Sequence, residues 1–268
     1  IKDRPDILSM TDALNLKITH FADVNFSIHG VETYPVNRFL LIYGGTPDSG
    51  SFIRDSVSGI RFEMNPEFFY LMPCHREFEV FVNPGIRFIS IHFNLELFYG
   101  MDLFSETPLI SGHAPDRTQE ALQLFRQTDP RTGASLLKGF LFTFLPPYLV
   151  KLPRRQATPR WKNYESVITE IRRNCSAGLS VDAFAERMNM RREVFSRNFT
   201  HDMGVSPKTF LTRALIRKAS ELLLVPGATA RETASRLHFS SEFYFSRFFK
   251  KHTGLSPRQF QLRTKSTL

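Results

Sequence analysis

The hydrophobic rhythm of the chain changes twice. Over the first hundred residues, apolar positions come in short runs or in strict alternation. LLIYGGTPDSGSFI (40–53) is an apolar run, a turn rich in Gly, Pro, Asp and Ser, and a second run. IRFEMN, FFYLMP, EFEVFVNPG and IRFISIHFNL follow, each short and bounded by Pro, Gly or Asn. Within RFISIHF (87–93), Phe88, Ser90 and His92 share one face, and Ile89, Ile91 and Phe93 the other. Short alternating segments with tight turns predict a small antiparallel β-barrel or sandwich.

The period then becomes helical. In RTQEALQLFRQ (117–127) and GASLLKGFLFTFL (133–145), apolar residues recur three and four apart, which predicts two helices in hairpin order around TDPRTG. KLPRRQATPRW (151–161) has no period and is rich in Pro and Arg, as a linker is. Everything after it reads as helix. The expected organisation is α+β and multidomain: a small antiparallel barrel with a helical hairpin (1–150), a linker (151–160) and an all-α domain (161–268).

The all-α part repeats itself. FSRNFTHDMGVSPKTF (195–210) and FSRFFKKHTGLSPRQF (245–260) agree at eight of sixteen positions without a gap. Ser180 can cap a helix VDAFAERM, and Thr229 can cap ARETASRL, with Glu232 as its capping-box partner. Turns at Asn189-Met190 and His238-Phe239 lead into RREVFSRNFTHD and SSEFYFSRFFKKH. Gly204 and Gly254 suit C-terminal caps. In each Ser-Pro that follows, Ser caps the next helix and Pro takes its first turn. SPKTFLTRALIRKASELLL (206–224) is long enough for about five turns between the copies.

A short helix, a tight turn and a second helix form a helix-turn-helix, whose second helix fits the roughly 12 Å major groove of DNA. The motifs are expected at about 180–203 and 229–252. An inner stripe holds Val194, Phe195, Phe199, Tyr244, Phe245, Phe248 and Phe249. Left outside are Arg191, Arg192, Glu193, Ser196 and Arg197 in copy one, and Ser240, Ser241, Glu242, Phe243, Ser246, Arg247 and Lys250 in copy two. Charge supports this reading. The net charge is +9. Residues 155–268 hold 21 Lys+Arg against 9 Asp+Glu, whereas residues 1–154 hold 14 against 17. A basic half beside a mildly acidic one points to a polyanion partner.

The remaining composition narrows the class. With 42% hydrophobic residues and 27 Phe, the chain can bury a sizeable core. No apolar run is long enough to span a membrane. The opening IKDRPDILSM carries charges of both signs and no apolar core, so no secretory leader is expected, and a chain opening on Ile1 is expected to lack its natural start. Two distant cysteines, Cys74 and Cys175, fit a reducing cytoplasm.

These residues carry a resemblance. The segment from about 164 to 263 resembles the DNA-binding domain of AraC/XylS-family transcription regulators, most strongly in LHFSSEFYFSRFFKKHTGLSPRQF (237–260). His238 stands where that pattern often has glycine, and Leu215 where it often has Arg. The resemblance places base-facing positions at Glu193, Ser196, Arg197, Glu242, Phe243, Ser246 and Arg247. Arg pairs with guanine and Glu accepts from cytosine, while Lys250 and Lys251 suit phosphates. NPEFFYLMPCHREFEVFVNPGIRFISIHFNLELF (65–98) is similar to the family's cupin-like effector domain. The resemblance implies a bacterial, cytoplasmic and nucleoid-associated activator. Its implied partners are double-stranded DNA, a small polar effector such as a sugar, RNA polymerase, and a second copy of the chain docked through Leu122, Leu124, Phe125, Leu136, Leu137 and Phe140.

Catalytic chemistry is not expected. The metal-binding His-x-His of enzymatic cupins is missing around His75, and no nucleophile elbow or phosphate loop occurs, so neither metal nor cofactor is expected. Candidate effector ligands are Tyr34, Arg38, His75, Glu79 and His92, beside an aromatic wall drawn from Tyr34, Tyr43, Phe69 and Tyr70. Each choice depends on strand parity, since a slip of one residue inverts it. Two alternatives stand beside the sensor reading: an effector-independent regulator whose barrel only dimerises, and a barrel enzyme with a DNA-binding tail.

Overall fold

The computed structural model describes residues 14–47, 49–98, 101–149 and 163–265, so the expected linker lies outside the described residues. The N-terminal part contains β1 (Asn15–Val24), β2 (Ile28–Thr33), β3 (Asn37–Gly44), β4 (Phe52–Asp55), β5 (Arg61–Glu63), β6 (Phe68–Met72), β7 (Glu77–Val82), β8 (Arg87–Phe98), β9 (Met101–Asp102) and β10 (Ile110–His113). The expected small barrel takes the form of two facing antiparallel sheets. One runs β1-β8-β3-β6-β10, with β9 on β8; the other runs β2-β7-β4-β5.

Alternation along the strands gives the first sheet two different faces. Outward, Phe39, Leu41, Phe69, Ile89, Ile91 and Phe93 meet a helical hairpin. Its helices are α1 (Pro115–Phe125) and α2 (Pro130–Phe144), followed by the short α3 (Pro146–Leu149). Asp129 caps α2 by accepting from the Thr132 amide at 2.8 Å. Phe140 and Phe144 then pack among Phe39 and Phe69, with Phe69 and Phe144 edge to face at 4.9 Å. Each such side chain contributes about 1.5–3 kcal/mol on burial. Inward, Ala22, Val24, Leu40, Ile42 and Phe88 meet Ile53, Phe78, Val80 and Val82 in the second cluster. The second sheet covers only part of that inner face. Farther along it the residues become polar: Arg38, Ser90 and His92, then His20, Asn94 and Glu96, all buried or half-buried.

The C-terminal part is all helix: α4 (Glu165–Asn174), α5 (Val181–Arg187), α6 (Arg192–Met203), α7 (Pro207–Leu223), α8 (Ala230–Arg236), α9 (Glu242–Thr253) and α10 (Pro257–Lys265). Local chemistry sets these boundaries. Ser180 accepts from the Ala183 amide at 3.2 Å, and Thr229 and Glu232 complete a reciprocal capping box. Gly204 and Gly254 end α6 and α9 with φ of 75° and 73°, where a Cβ would be strained. Two non-glycine residues take the same region at the helix-helix turns, Asn189 at φ 51° and His238 at φ 57°. Asn and His tolerate it better than most side chains.

Helix α7 joins two cores. Phe210 and Ala214 pack with Tyr164, Phe195 and Phe199 in the first motif; Leu215, Ile216, Ala219 and Leu223 pack with Phe245, Phe249 and Phe260 in the second. The Ala177 amide donates to the Leu237 carbonyl at 2.8 Å, tying the motifs together. Another side of α7 lies on the polar end of the first sheet. Arg217 pairs with Glu96, both almost fully buried, and also approaches Glu221 at 3.3 Å. Glu221 receives Lys17 at 2.7 Å, and Arg213 reaches Glu106 at 2.7 Å. Removing one partner of a buried pair strands the other, at a cost of about 3–5 kcal/mol. Arg217→Ala should therefore split one melting transition into two as the domains lose their contact. Replacing Glu96 and Arg217 together by Leu and Met should restore a single transition, and calorimetry of the three proteins checks both.

Candidate nucleic-acid interface and effector cavity

The two recognition helices present the same face. From Glu193 to Thr200 and from Phe243 to Lys250, burial alternates in matching register, except that Val194 is half-buried and Tyr244 exposed. Phe195, Phe199, Phe245 and Phe249 are fully inside, as the inner stripe required. Phe248 is half-buried against Phe239 at 5.2 Å. Tyr244 departs from that stripe: it is 64% exposed. Outside lie Arg191, Arg192, Glu193, Arg197, Ser240, Ser241, Glu242, Phe243, Arg247, Lys250 and Lys251, with Ser196 and Ser246 half-buried beside them. Two of these side chains are already engaged. Arg192 pairs with Asp182 at 2.9 Å, and Ser241 caps α9 by accepting from the Tyr244 amide at 3.2 Å. Glu193, Arg197, Phe243 and Arg247 are exposed on the outer faces, with Arg247 placed 5.7 Å from the Phe243 ring. Lys250 and Lys251 sit in the last turn of α9, where cations suit the helix dipole and the phosphates alike.

A cavity of about 360 Å³ opens where the second sheet stops covering the first. Val24, Leu40, Val80, Val82 and Phe88 make its apolar wall, and Glu32, Tyr34, Arg38, Ser90 and His92 its polar side. Leu262, from α10, contributes to the same lining. Arg38 donates to Glu32 at 2.5 Å, and its guanidinium lies 4.1 Å from the Tyr34 ring. The alternation put Phe88, Ser90 and His92 on one face, and that is the face turned to the cavity.

Tyr34, Arg38 and His92 thus come together, whereas His75 and Glu79 do not. Val80 and Val82 point inward on β7, so Glu79 points outward and pairs with Arg54. His75 occupies the β6–β7 turn at φ 59°, its amide donating to the Tyr34 carbonyl at 2.7 Å. Its ring is desolvated against the C-terminal domain, near Arg213 and His252, and its pKa is lowered to about 3. Of the proposed aromatic wall only Tyr34 lines the cavity. Tyr43 donates to Asp23 at 2.5 Å, Phe69 packs under the hairpin, and the Tyr70 hydroxyl donates to the Glu63 carbonyl at 2.5 Å. Glu32 and Leu262 were not anticipated. Glu32 carried one signal, a carboxylate six residues before an inward arginine; Leu262 carried none, because it comes from the other domain. Among the described residues, no three His, Cys, Asp or Glu side chains converge as a metal site would require.

A second, much smaller cavity of about 20 Å³ lies between the domains. His92 and Tyr34 border both cavities; on the far side are His20, Arg217, Ser220, Glu221 and Phe260. The His20 and His92 rings are 4.5 Å apart.

Comparison with known proteins agrees with this architecture. Residues 184–263 match a family model described as a helix-turn-helix domain. The chain is 30% identical over 131 residues to the HTH-type transcriptional regulator YfiF of Bacillus subtilis, an alignment covering 47% of the chain and 40% of that protein. It is 32% identical over 77 residues to the HTH-type transcriptional activator RhaS of Escherichia coli, covering 29% and 28%. The chain thus spans less than half the length of these curated relatives, which are named as transcription regulators. Its whole fold is similar to that of unsaturated-fatty-acid-bound ToxT from Vibrio cholerae, with a TM-score of 0.62 at 12% identity, covering 94% of this chain and 96% of that one.

The cavity border sets a pH dependence. Burial lowers His20; burial, then His20 and Arg38, lower His92 well below its ordinary value. Both rings are neutral at pH 7. In the unfolded chain they titrate near ~6.5, so as pH falls through that value the unfolded state binds protons first. Stability is full above it and declines toward the folded-state pKa values. His92→Gln should flatten the fall in melting temperature between about pH 7 and 5; equal slopes for the two proteins would remove His92 from the account.

Proposed function

We propose that the chain is an AraC/XylS-type, sequence-specific DNA-binding transcription regulator, an activator, controlled by a small molecule in the cavity of its N-terminal domain. The observation that carries the proposal is the composite border of that cavity. Tyr34 and His92 separate it from the domain junction, and Leu262 lines it from α10. An occupant touches Leu262 of α10, which follows the second head, and the Tyr34–His92 wall shared with the junction. A ligand that binds one arrangement of the domains better than another shifts the heads by that difference in affinity. The cavity also counts against a barrel that serves only to dimerise. A second copy of the chain is the proposed partner of the hairpin, where Phe125 and Leu136 of the expected contacts are exposed, together with Phe142; Leu124, Leu137 and Phe140 instead pack into the core under the hairpin and are not available to a partner. RNA polymerase is the proposed partner at the promoter.

Two effector classes fit different parts of the lining. Arg38, Glu32, Ser90 and His92 suit a sugar or another small polar metabolite. The five-residue apolar wall suits a molecule with a hydrocarbon body, a reading supported by the fatty acid bound in ToxT. Thermal shift of the full chain against sugars, sugar acids and unsaturated fatty acids separates them, because a ligand of the folded state raises the melting temperature by mass action. One class should raise it, and Arg38→Ala should abolish the rise. No rise from any class, with DNA binding intact, favours the effector-independent regulator.

On the DNA side, Lys251→Ala should weaken binding to all duplexes alike and lower the salt slope by about one. Arg247→Ala should cost about 1–3 kcal/mol on the cognate site and relax one base position. Binding titrations at several salt concentrations, on cognate and random duplexes, check both.

A further inference from the structure

The two reading heads share a backbone but not a chemistry. With α6 and α9 in matching burial register, Phe243 stands where Glu193 stands, and Arg247 where Arg197 stands. Phe243 is 68% exposed and Tyr244 beside it 64% exposed. Two adjacent aromatic side chains left in solvent mark a contact surface. They occupy the first turn of α9, the part of a recognition helix that meets base edges in this motif. The surrounding charge selects the occupant: the half of the chain from 155 to 268 carries 21 Lys+Arg against 9 Asp+Glu, and the groove of a duplex is its complement.

Resting on the DNA-binding reading, we propose that the second head recognises a thymine through contact of Phe243 with its C5 methyl, with a guanine in the same half-site read by Arg247, and that the first head reads cytosine and guanine at the matching positions through Glu193 and Arg197. A phenyl ring neither donates nor accepts a hydrogen bond, and the apolar group that base pairs offer in the major groove is the thymine methyl. Glu193 needs a donor, which cytosine N4 supplies. Arginine, common to both heads, pairs with guanine O6 and N7. Residues four apart are separated by about 6 Å along a helix, and base pairs by about 3.4 Å, so the two bases in each half-site lie about two steps apart. The operator is then a direct repeat with unequal halves, and the inequality traces to Glu193 against Phe243.

The test uses the full chain and a pool of random duplexes, from which bound sequences are selected. In the second half-site each thymine is then replaced by deoxyuridine, which removes only the methyl group. At one position the replacement should weaken binding about four-fold, the worth of one buried methyl. Phe243→Ala should bind the thymine site that much more weakly and show no further loss on deoxyuridine. Phe243→Glu should shift the selected base at that position from thymine to cytosine, making the halves alike. Phe243 is exposed, so the melting temperature of both variants should match the parent and separate misfolding from misreading. Selected sites whose affinity ignores every deoxyuridine overturn this proposal alone. A Phe243→Ala defect equal on random and selected duplexes also overturns it, and assigns the aromatic pair to phosphates or to a protein partner. If no duplex is enriched, the DNA-binding reading falls with it.

Discussion

The arrangement of the molecule depends on one buried ion pair, Glu96 with Arg217. Taking both charges out of water is costly, and their attraction offsets that cost only in close geometry with further hydrogen-bonding partners nearby. Those partners are supplied from both domains: Glu221 one turn along α7, and Lys17 on β1 reaching Glu221. The pair therefore stabilises one register of helix against sheet and penalises all others. An apolar patch at this position would tolerate sliding, because burial has no direction. A charged pair aimed across the junction does not.

The pair also explains why the first sheet is polar on part of its inner face. Strand alternation requires every second residue of β8 to face inward, and the series Phe88, Ser90, His92, Asn94, Glu96 runs from apolar to charged along one strand. Phe88 faces the second sheet, Ser90 and His92 the larger cavity, and Glu96 the DNA-binding domain. One strand thus connects the sandwich core, the larger cavity and the domain junction. Movement of His92 within its cavity has few directions open to it, because Tyr34, His20 and Arg38 surround the ring.

The legibility of the sequence follows the range of the interactions. The helix-turn-helix motifs could be read because their signals are local: a capping hydroxyl, an acid three residues on, a glycine in the left-handed region, and Ser-Pro at the next start. Even the departure at His238 left the turn intact, since the Phe239 amide still donates to the Ala234 carbonyl at 2.9 Å, as Met190 does to Ala185 in the first copy. The parity of β8 was also legible, from strict alternation over seven residues. The parity of β7 was equally legible, since Glu77 and Glu79 alternate with Phe78, Val80 and Val82; placing Glu79 in the cavity went against that alternation, and the strand turns its Val80 inward with Ile53 of β4 beside it. His75 was drawn to the cavity by its turn, although the space beside that turn is taken by the C-terminal domain. Leu262 lies beyond the reach of pattern reading, since its role exists only after two domains meet.

The same geometry limits how the effector can act. Helix α7 places Phe210 and Ala214 in the first reading core and Leu215 to Leu223 in the second, so the two heads cannot be re-spaced without unpacking a helix. An effector that altered their separation would have to overcome the burial of several core side chains, each worth about 1.5–3 kcal/mol. Coupling free energies between sites are typically about 1–3 kcal/mol. For the proposed effector the difference favours rigid-body control: it would change how the pair of heads is held against the sensor and leave the pair itself unchanged. The contacts within reach of such energies are those at the junction, the Glu96–Arg217 pair with its Lys17 and Glu221 neighbours and the approach of Tyr34 to Phe260 at 6.4 Å. On the proposed reading, control exerted there would alter access of both heads to DNA together, while base choice would stay with α6 and α9.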